Sequence, residues 1–388
     1  MLHLEVGNKH KMLGYQWLIL ISTIITVILQ IPAFENLRII NYFMWPVTGI
    51  LVMVSQKGII GKTTIGLFYV FLEIWLFLLC ALCTMITGKS YLECGALKIL
   101  ILPLFMYWIG IQINDSVFLK KIFKGYIVAA IVLATYICVV YIPSFSTWSV
   151  NEVYLYGSKN SAAQIFSSAA LLALYNETKK KSENVLKLLA TGYLILVTAL
   201  LQCRTAMLGT LAAVIFIEIV VKKKRLRTMF GVILGTTVLL RNEKVQSFVQ
   251  QAFLIRQYTG RSLNDFSSGR LMLYKVAIDK FSLSPWIGIG DYYVDDFFIN
   301  ALVEIGILGG GVVVGFWIFV TLRNLRLTIK NNDEIQKILG AMTVYYFVTS
   351  LMEAFPPFGP GSCSFVFWLL QGYCDGMNQK NILDRRAV

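Results

Sequence analysis

The sequence predicts an all-α, polytopic integral membrane protein with about twelve transmembrane helices and one long, partly helical extracytoplasmic loop. Three observations support this fold class. First, 57% of the 388 residues are hydrophobic and only 14% are charged, whereas about a quarter of the residues in soluble domains are charged. Second, apolar runs of about 20 residues, the length of a membrane-spanning helix, recur along the chain. Third, basic residues cluster in alternate connections between these runs.

The apolar runs predict a single transmembrane domain that covers residues 1–388. No small-residue cleavage pattern precedes Pro32, so the first run is expected to be a span rather than a removed signal peptide. In chain order, the predicted spans lie near residues 15–33, 39–56, 64–87, 96–114, 124–143, 161–176, 186–202, 205–221, 228–240, 297–322, 336–352 and 363–377.

The distribution of basic residues predicts the orientation of these spans. If both termini are cytoplasmic, the inside segments hold 23 of the 35 Lys and Arg residues, and the short outside connections hold five. Cytoplasmic loops usually carry such an excess. We therefore expect an even number of spans. The net charge of +14 is attributed to topology, not to nucleic-acid binding.

The seven cysteines predict neither a disulfide framework nor a metal site. Their number is odd, and no histidine or cysteine partner stands at metal-ligand spacing. They are expected to be small core residues. The sequence also contains no phosphate-cradling glycine loop and no kinase or hydrolase motif. We therefore expect neither a metal nor a cofactor.

The longest connection, residues 241–296, is expected to be an ordered extracytoplasmic loop. Connections of this length in compact domains are usually functional or disordered. Apolar residues in this one repeat at helical spacing, which predicts two amphipathic helices along the outer membrane surface. The two stripes are Val245, Phe248, Val249 and Ala252, and Leu271, Tyr274, Ile278 and Phe281.

The second of these helices is a candidate anion site. Ser267 or Ser268 is expected to cap it, with Arg270 at its positive end, and Pro285 is expected to end it. A helix N-terminus beside an arginine favours a bound anion. The alternative is a structural lid whose charges face water.

Further motifs with polar or glycine residues lie before and after the predicted α-helical part of the loop. Lys159 and Asn160 open a span, Cys203-Arg204-Thr205 forms a short outer turn, and Pro285 to Gly290 precedes Glu304-Ile305-Gly306. With Ser268-Gly269-Arg270, in this order and spacing, residues 155–310 resemble the family of bacterial O-antigen ligases and Wzy-type polysaccharide polymerases. The chain looks most like the capsular or exopolysaccharide polymerases. The first five spans match only as hydrophobic segments.

The resemblance implies a GT-C-like, metal-independent membrane glycosyltransferase in the bacterial cytoplasmic membrane. In the polymerase version, the growing glycan moves from undecaprenyl diphosphate to the next lipid-linked repeat unit on the outer face. The implied partners are the undecaprenyl-diphosphate-linked oligosaccharide, membrane lipids, and a flippase and a chain-length regulator of the same pathway. No cofactor is implied.

This chemistry requires cations that stabilise a leaving diphosphate. Arginine suits this role because its planar guanidinium pairs bidentately with phosphate oxygens and stays charged. The substrate-binding candidates are Arg204, Arg270, Lys159, Asn160, Arg256, Arg261 and Glu304.

Several of these candidates also have a plainer interpretation. Arg204, at the end of a hydrophobic hairpin, can snorkel to lipid headgroups. Arg256 and Arg261 can lie on a solvated face. Lys159 can be an interfacial anchor, and Asn160 a helix cap.

The reaction also calls for a general base. The better-known ligases carry a histidine just before the tenth span, but here this place reads "VDDFFIN". The only histidines, His3 and His10, lie at the predicted cytoplasmic N-terminus. Asp295 or Asp296 is therefore the expected base, with Asp291 as a third candidate. Alternatively, these aspartates cap the tenth span, or no dedicated base exists.

Other carboxylates favour an alternative class of protein, a lipid-linked oligosaccharide transporter. Glu73, Glu218 and Glu304 lie in or beside predicted spans. Against transport, no inverted repeat is visible, and the polar residues concentrate at one outer face. Glu353 belongs to a proline-rich outer turn that either borders the sugar site or is a tight connection. A ligase that uses another acceptor is the alternative within the same chemistry.

Overall fold

The computed structural model describes residues 13–56, 63–92, 95–147, 159–177, 180–223, 241–253, 269–331, 333–359 and 363–387. All regular secondary structure within these residues is helical, as predicted. The α-helices are α1 (Gly14–Ile28), α2 (Ile39–Gln56), α3 (Thr64–Thr87), α4 (Gly95–Gln112), α5 (Ser116–Thr147), α6 (Lys159–Tyr175), α7 (Lys181–Leu200), α8 (Arg204–Ile215), α9 (Glu243–Ala252), α10 (Arg270–Leu283), α11 (Phe297–Gly306), α12 (Val312–Asn331), α13 (Glu334–Ser350) and α14 (Phe365–Ala387).

Several of these helices make the fold compatible with a membrane protein. Among the described residues, five helical stretches are long and apolar enough to cross a bilayer. They are Thr64–Thr87, Ser116–Pro143, Lys181–Leu200, Arg204–Val221 and Phe297–Asn331. The count of twelve spans stays a prediction. The predicted ninth span, residues 228–240, lies outside the described residues.

Contacts between helix ends distinguish two ends of the bundle. Asn160, at the start of α6, contacts Glu353, just after α13. Lys120, near the start of α5, pairs with Glu334 at the start of α13. We refer to the Glu353 end and the Glu334 end. The 17 residues of α13 separate them, which corresponds to roughly 25 Å.

The cysteines behave as small core residues, as predicted. Cys80, Cys83, Cys203, Cys363 and Cys374 are buried, and each is a free thiol. Cys138 is half-buried, and Cys94 lies outside the described residues.

The predicted tenth span is interrupted. Helix α11 ends at Gly306, after a non-helical Ile305, and a π-helical turn (Ile307–Gly311) leads into α12. The helical stretch Phe297–Asn331 is nevertheless long and apolar enough to cross a membrane, which is compatible with the span predicted near residues 297–322. The break exists because the preceding loop segment, residues 285–290, hydrogen-bonds to the backbone at this point.

Four backbone hydrogen bonds hold the loop segment against the break. The N–H groups of Ile289 and Gly290 donate to the carbonyls of Val303 and Glu304 at 2.9 and 3.0 Å. In return, the N–H groups of Ile307 and Leu308 donate to the carbonyls of Pro285 and Trp286 at 2.9 and 3.1 Å. The segment from Pro285 to Gly290 and the run Glu304-Ile305-Gly306, two separate motifs of the sequence, thus form one structural unit.

Two glycines make this close approach possible. Gly288 has φ +74°, and a Cβ there would lie 2.4 Å from the carbonyl oxygen of Glu304. Gly306 has φ +64°, and a Cβ there would lie 2.3 Å from the carbonyl of Trp286. Only glycine combines a positive φ with so little space. Tyr91 adds a hydrogen bond from its hydroxyl to the Gly288 carbonyl at 2.8 Å.

Both predicted loop helices are present, as α9 and α10. The predicted serine cap of α10 is wrong. Its N-cap is Gly269, with φ +81° and no side-chain cap, because a left-handed glycine begins the helix one residue after Ser268. Helix α10 ends at Leu283, before Pro285, as expected.

The apolar stripe of α10 differs from the prediction. Tyr274, Ala277 and Phe281 pack toward Val294 and Val303. The predicted stripe members Leu271 and Ile278 are exposed. Helix α10 therefore carries apolar residues on two sides, only one of which faces the protein.

Candidate functional site

Arg270 lies between two carboxylates at the Glu353 end. Its Nη2 is 3.2 Å from Asp295 Oδ2 and 3.5 Å from Glu353 Oε1. The side chains of Arg270 and Glu353 are only 22% and 12% exposed, so water screens these pairs incompletely. Burial opposes the charge of Arg270, but Glu353 and Asp295 outweigh burial and raise the pKa of the guanidinium.

Glu353 is the residue on which this cluster converges. Its Oε1 accepts a hydrogen bond from Asn160 Nδ2 at 2.9 Å, and the Thr205 side chain also hydrogen-bonds to it. Burial raises the pKa of Glu353 to about 7, although Arg270, Asn160 and Thr205 act in the opposite direction. A carboxyl group with such a pKa can gain or lose a proton near neutral pH.

Asn160 connects three segments that are distant in sequence. It belongs to the first turn of α6 and donates to Glu353, in the turn after α13. Its Oδ1 accepts a hydrogen bond from Cys203 Sγ at 3.3 Å. Burial raises the pKa of Cys203 to about 12, which keeps the thiol protonated as a donor. The two hydrogen bonds define the orientation of the Asn160 amide.

Two further cations lie near the cluster: Lys159 interacts electrostatically with Glu353, and Arg204 interacts with Lys159. Lys159 is half-buried at the start of α6. Burial lowers its pKa, Cys203 and Glu353 oppose this effect, and Arg204 adds to it. Arg204 is half-buried at the first position of α8. Arg270, Lys159 and Arg204 therefore supply three positive charges in one neighbourhood.

Asp295 holds Arg270 in place. One of its carboxylate oxygens pairs with Arg270, and the other accepts a hydrogen bond from the Tyr293 hydroxyl at 2.7 Å. The Tyr274 hydroxyl donates to the Asp295 backbone carbonyl at 2.8 Å. Burial raises the pKa of Tyr293 and raises that of Tyr274 to about 12, so both hydroxyls remain donors.

Asp296 and Asp291 are placed differently from Asp295. Asp296 is the N-cap of α11, and its Oδ1 accepts from the Ile299 N–H at 2.8 Å. The capping interpretation therefore describes Asp296. Burial raises its pKa, and the backbone hydrogen bonds oppose that rise. Asp291 is exposed, and none of the side-chain hydrogen bonds or ion pairs found among the described residues includes it.

The remaining candidates are Glu304, Arg256 and Arg261. Glu304 is 2% exposed inside the bundle, within electrostatic reach of Cys80 on α3. Its backbone carbonyl accepts from Gly290. Arg256 and Arg261 lie outside the described residues.

Sequence reasoning placed Glu353 in a turn that either borders the sugar site or is a tight connection, but did not include it among the candidate site residues. Its only signal was a single carboxylate at the outer end of a predicted span, next to a proline-rich turn. The surrounding turn is well anchored. Trp368 Nε1 donates to the Pro357 carbonyl at 2.8 Å, and Phe358 is fully buried and packs on the same indole ring.

No protein-family model matches the sequence, and comparison with curated proteins gave no match. Among the described residues, no group of three or more His, Cys, Asp or Glu side chains could hold a metal ion. The fold and site therefore define a broad class: an all-helical, membrane-compatible protein with a partly buried cluster of cations and carboxylates at one end.

Proposed function

We propose that the chain is a membrane polysaccharide polymerase. It transfers a growing glycan from undecaprenyl diphosphate to the next lipid-linked repeat unit. The observation that supports this best is that Arg270 and Lys159 approach Glu353 from separate segments, with Arg204 beside Lys159. Transfer from a lipid diphosphate needs positive charge at the leaving group and a group that takes the acceptor's proton.

The proposal includes the finer topology. The chain has twelve spans in a GT-C-like arrangement in the bacterial cytoplasmic membrane, with both termini inside and the Glu353 end outside. Helix α10 lies along the outer surface. Its exposed Leu271, Leu273 and Ile278 contact lipid, which positions Arg270 at the depth of a lipid-linked diphosphate.

Arg270 binds the diphosphate by exchanging partners. Before substrate arrives, Asp295 and Glu353 share its guanidinium. The diphosphate, with more charge and more acceptor oxygens, competes for the same donors. Arg270 lowers the pKa of Glu353, so its departure makes Glu353 more basic. Substrate binding thereby prepares the base.

Glu353, rather than Asp295 or Asp296, is the general base in this proposal. Asp296 is engaged as a helix cap and Asp295 as the partner of Arg270. Glu353 accepts the proton of the acceptor hydroxyl, whose oxygen attacks the anomeric carbon. The bond between that carbon and the phosphate oxygen breaks, and the diphosphate leaves with the electron pair. Arg270, Arg204 and Lys159 stabilise the negative charge of the leaving group.

The experiment uses purified protein in lipid vesicles and an undecaprenyl-diphosphate-linked repeat unit, with product length read on a gel. Wild type should give a ladder of longer glycans. Arg270→Ala and Arg204→Ala should each lower the rate by about a hundredfold or more. The matched control is Lys275→Ala, an exposed cation of the same helix as Arg270, which should retain the ladder.

Other outcomes identify other functions. A full ladder from Arg270→Ala would contradict the proposed diphosphate site. Glycan attached only to a different acceptor would indicate a ligase. Unmodified repeat units that cross the vesicle membrane without lengthening would indicate a transporter.

A further inference from the structure

A second charged region lies at the Glu334 end, opposite the candidate site. It surrounds a cavity of about 390 Å³ between the starts of α5 and α7 and the end of α6. Six charged residues line it: Lys120, Lys121, Lys124, Lys180, Glu177 and Glu183. A second cavity of about 450 Å³ adjoins it and shares Asn176 and Glu177 as lining residues.

Ion pairs account for only part of this charge. Lys120 pairs with Glu334 at 2.7 Å, and Lys337 pairs with Glu177 at 3.6 Å. Within the described part of the chain, no ion pair includes Lys121, Lys124 or Lys180. Of the two carboxylates in the cavity lining, Glu177 is paired with Lys337, so only Glu183 is left to balance these three lysines. The cavity is therefore cationic.

Asn176 provides an independent indication of a ligand. It is 3% exposed and lines both cavities. Its Oδ1 is buried and has no hydrogen-bond partner among the described residues. A buried acceptor without a partner is costly. A ligand hydroxyl that enters between the cavities would supply the missing donor.

The walls of the region suit a lipid rather than a free ion. Helix α7 begins at the cavity, and its N-cap residue, Lys180, makes no side-chain capping hydrogen bond, so the positive end of the helix favours an anion there. Further along the same helix, an apolar surface is exposed: Val185, Leu186, Leu188 and Leu189. Leu188 also lines the second cavity. Cationic and apolar surfaces are thus continuous.

We propose that this region binds an anionic phospholipid of the phosphatidylglycerol class. Lys121, Lys124 and Lys180 hold the phosphodiester, a headgroup hydroxyl donates to Asn176 Oδ1, and the acyl chains lie along α7. Basic pockets between helices at a membrane surface recognise such headgroups through these contacts. The inference does not depend on the proposed transferase activity.

The test is native mass spectrometry of the delipidated full chain, with phosphatidylglycerol and phosphatidylcholine of identical acyl chains as probes. Wild type should retain phosphatidylglycerol about tenfold or more better than phosphatidylcholine. The triple variant Lys121→Gln, Lys124→Gln, Lys180→Gln should lose this preference. The matched control loses the same charge from exposed lysines elsewhere: Lys89→Gln, Lys275→Gln, Lys280→Gln. It should keep the preference.

Three outcomes would overturn the proposal. In the first, wild type retains both lipids equally, which shows directly that the region has no preference for the anionic headgroup. In the second, the control variant loses the preference as fully as the triple variant, which shows that the preference depends on net charge and not on this cavity. Inorganic phosphate, added at the lipid concentration, could displace the lipid completely, which would assign the cavity to a free anion.

Discussion

Replacing Glu353 by glutamine should make the stability of the protein less sensitive to alkaline pH while it removes the proposed base. The folded-state pKa of Glu353 is about 7, above the ordinary value of 4.5, because burial disfavours the charged form. The folded state therefore binds this proton more tightly than the unfolded state does. The corresponding stability is present below pH 4.5 and is lost as pH rises through about 7.

The size of the effect follows from the pKa difference. At about 1.36 kcal/mol per pKa unit, the full loss is about 3 kcal/mol, of which about 2 kcal/mol falls between pH 5.5 and 8.5. Glutamine cannot ionise, and its side-chain oxygen can still accept from Asn160. The stability of Glu353→Gln relative to wild type should therefore increase by about 2 kcal/mol over this pH interval.

The assay is thermal unfolding of wild type and Glu353→Gln in the same detergent at pH 5.5 and 8.5. The control is Asp279→Asn, which neutralises an exposed carboxylate on α10 and should leave the pH dependence of wild type unchanged. If the difference between wild type and Glu353→Gln is the same at both pH values, Glu353 does not carry the proton affinity on which the proposed base depends.

Three further predictions follow from the same contacts. In wild type, the transfer rate should rise with pH and level off above about pH 7, because the base Glu353 must be ionised; a rate that falls over this range would contradict its role. Gly288→Ala should lower the free energy of unfolding by roughly 3 kcal/mol or more, since its Cβ would meet the Glu304 carbonyl at 2.4 Å. The control is Gly290→Ala, at φ +92° with no atom within 4 Å of its Cβ, which should cost only about 1–2 kcal/mol of backbone strain. Both variants are compared by denaturant titration. An equal loss of unfolding free energy in the two would count against a steric origin of the Gly288→Ala effect. Asp296→Ala should cost about 1 kcal/mol of the same free energy through the lost α11 cap, and an unchanged unfolding midpoint would show that the cap is unimportant.

Hydrophobic runs predicted the helices well where local sequence alone determines them. The bounds of α2 and α3 coincide with the predicted runs 39–56 and 64–87, because one long apolar segment is helical whatever its neighbours are. The break at Ile305 was not predictable in this way. It depends on hydrogen bonds from residues 285–290, and periodicity contains no information about such a long-range contact.

In the candidate site, too, the sequence predicted local features but not long-range contacts. Arg270 and Asn160 were identified from their positions at helix starts, which are local features. That both contact Glu353 is a tertiary fact. The neighbouring Asp295 and Asp296 looked equivalent in the sequence. The extended backbone at the N-cap directs Asp296 to its own helix, whereas Asp295 reaches Arg270.

The central claim is most directly tested by the stoichiometry of the reaction in proteoliposomes. The measurement compares the undecaprenyl diphosphate released with the new glycosidic bonds formed, for wild type and Glu353→Gln. The proposed transfer predicts one lipid diphosphate released per bond in wild type, and loss of both products together in Glu353→Gln. Repeat units that move across the membrane with no release of lipid diphosphate would contradict it.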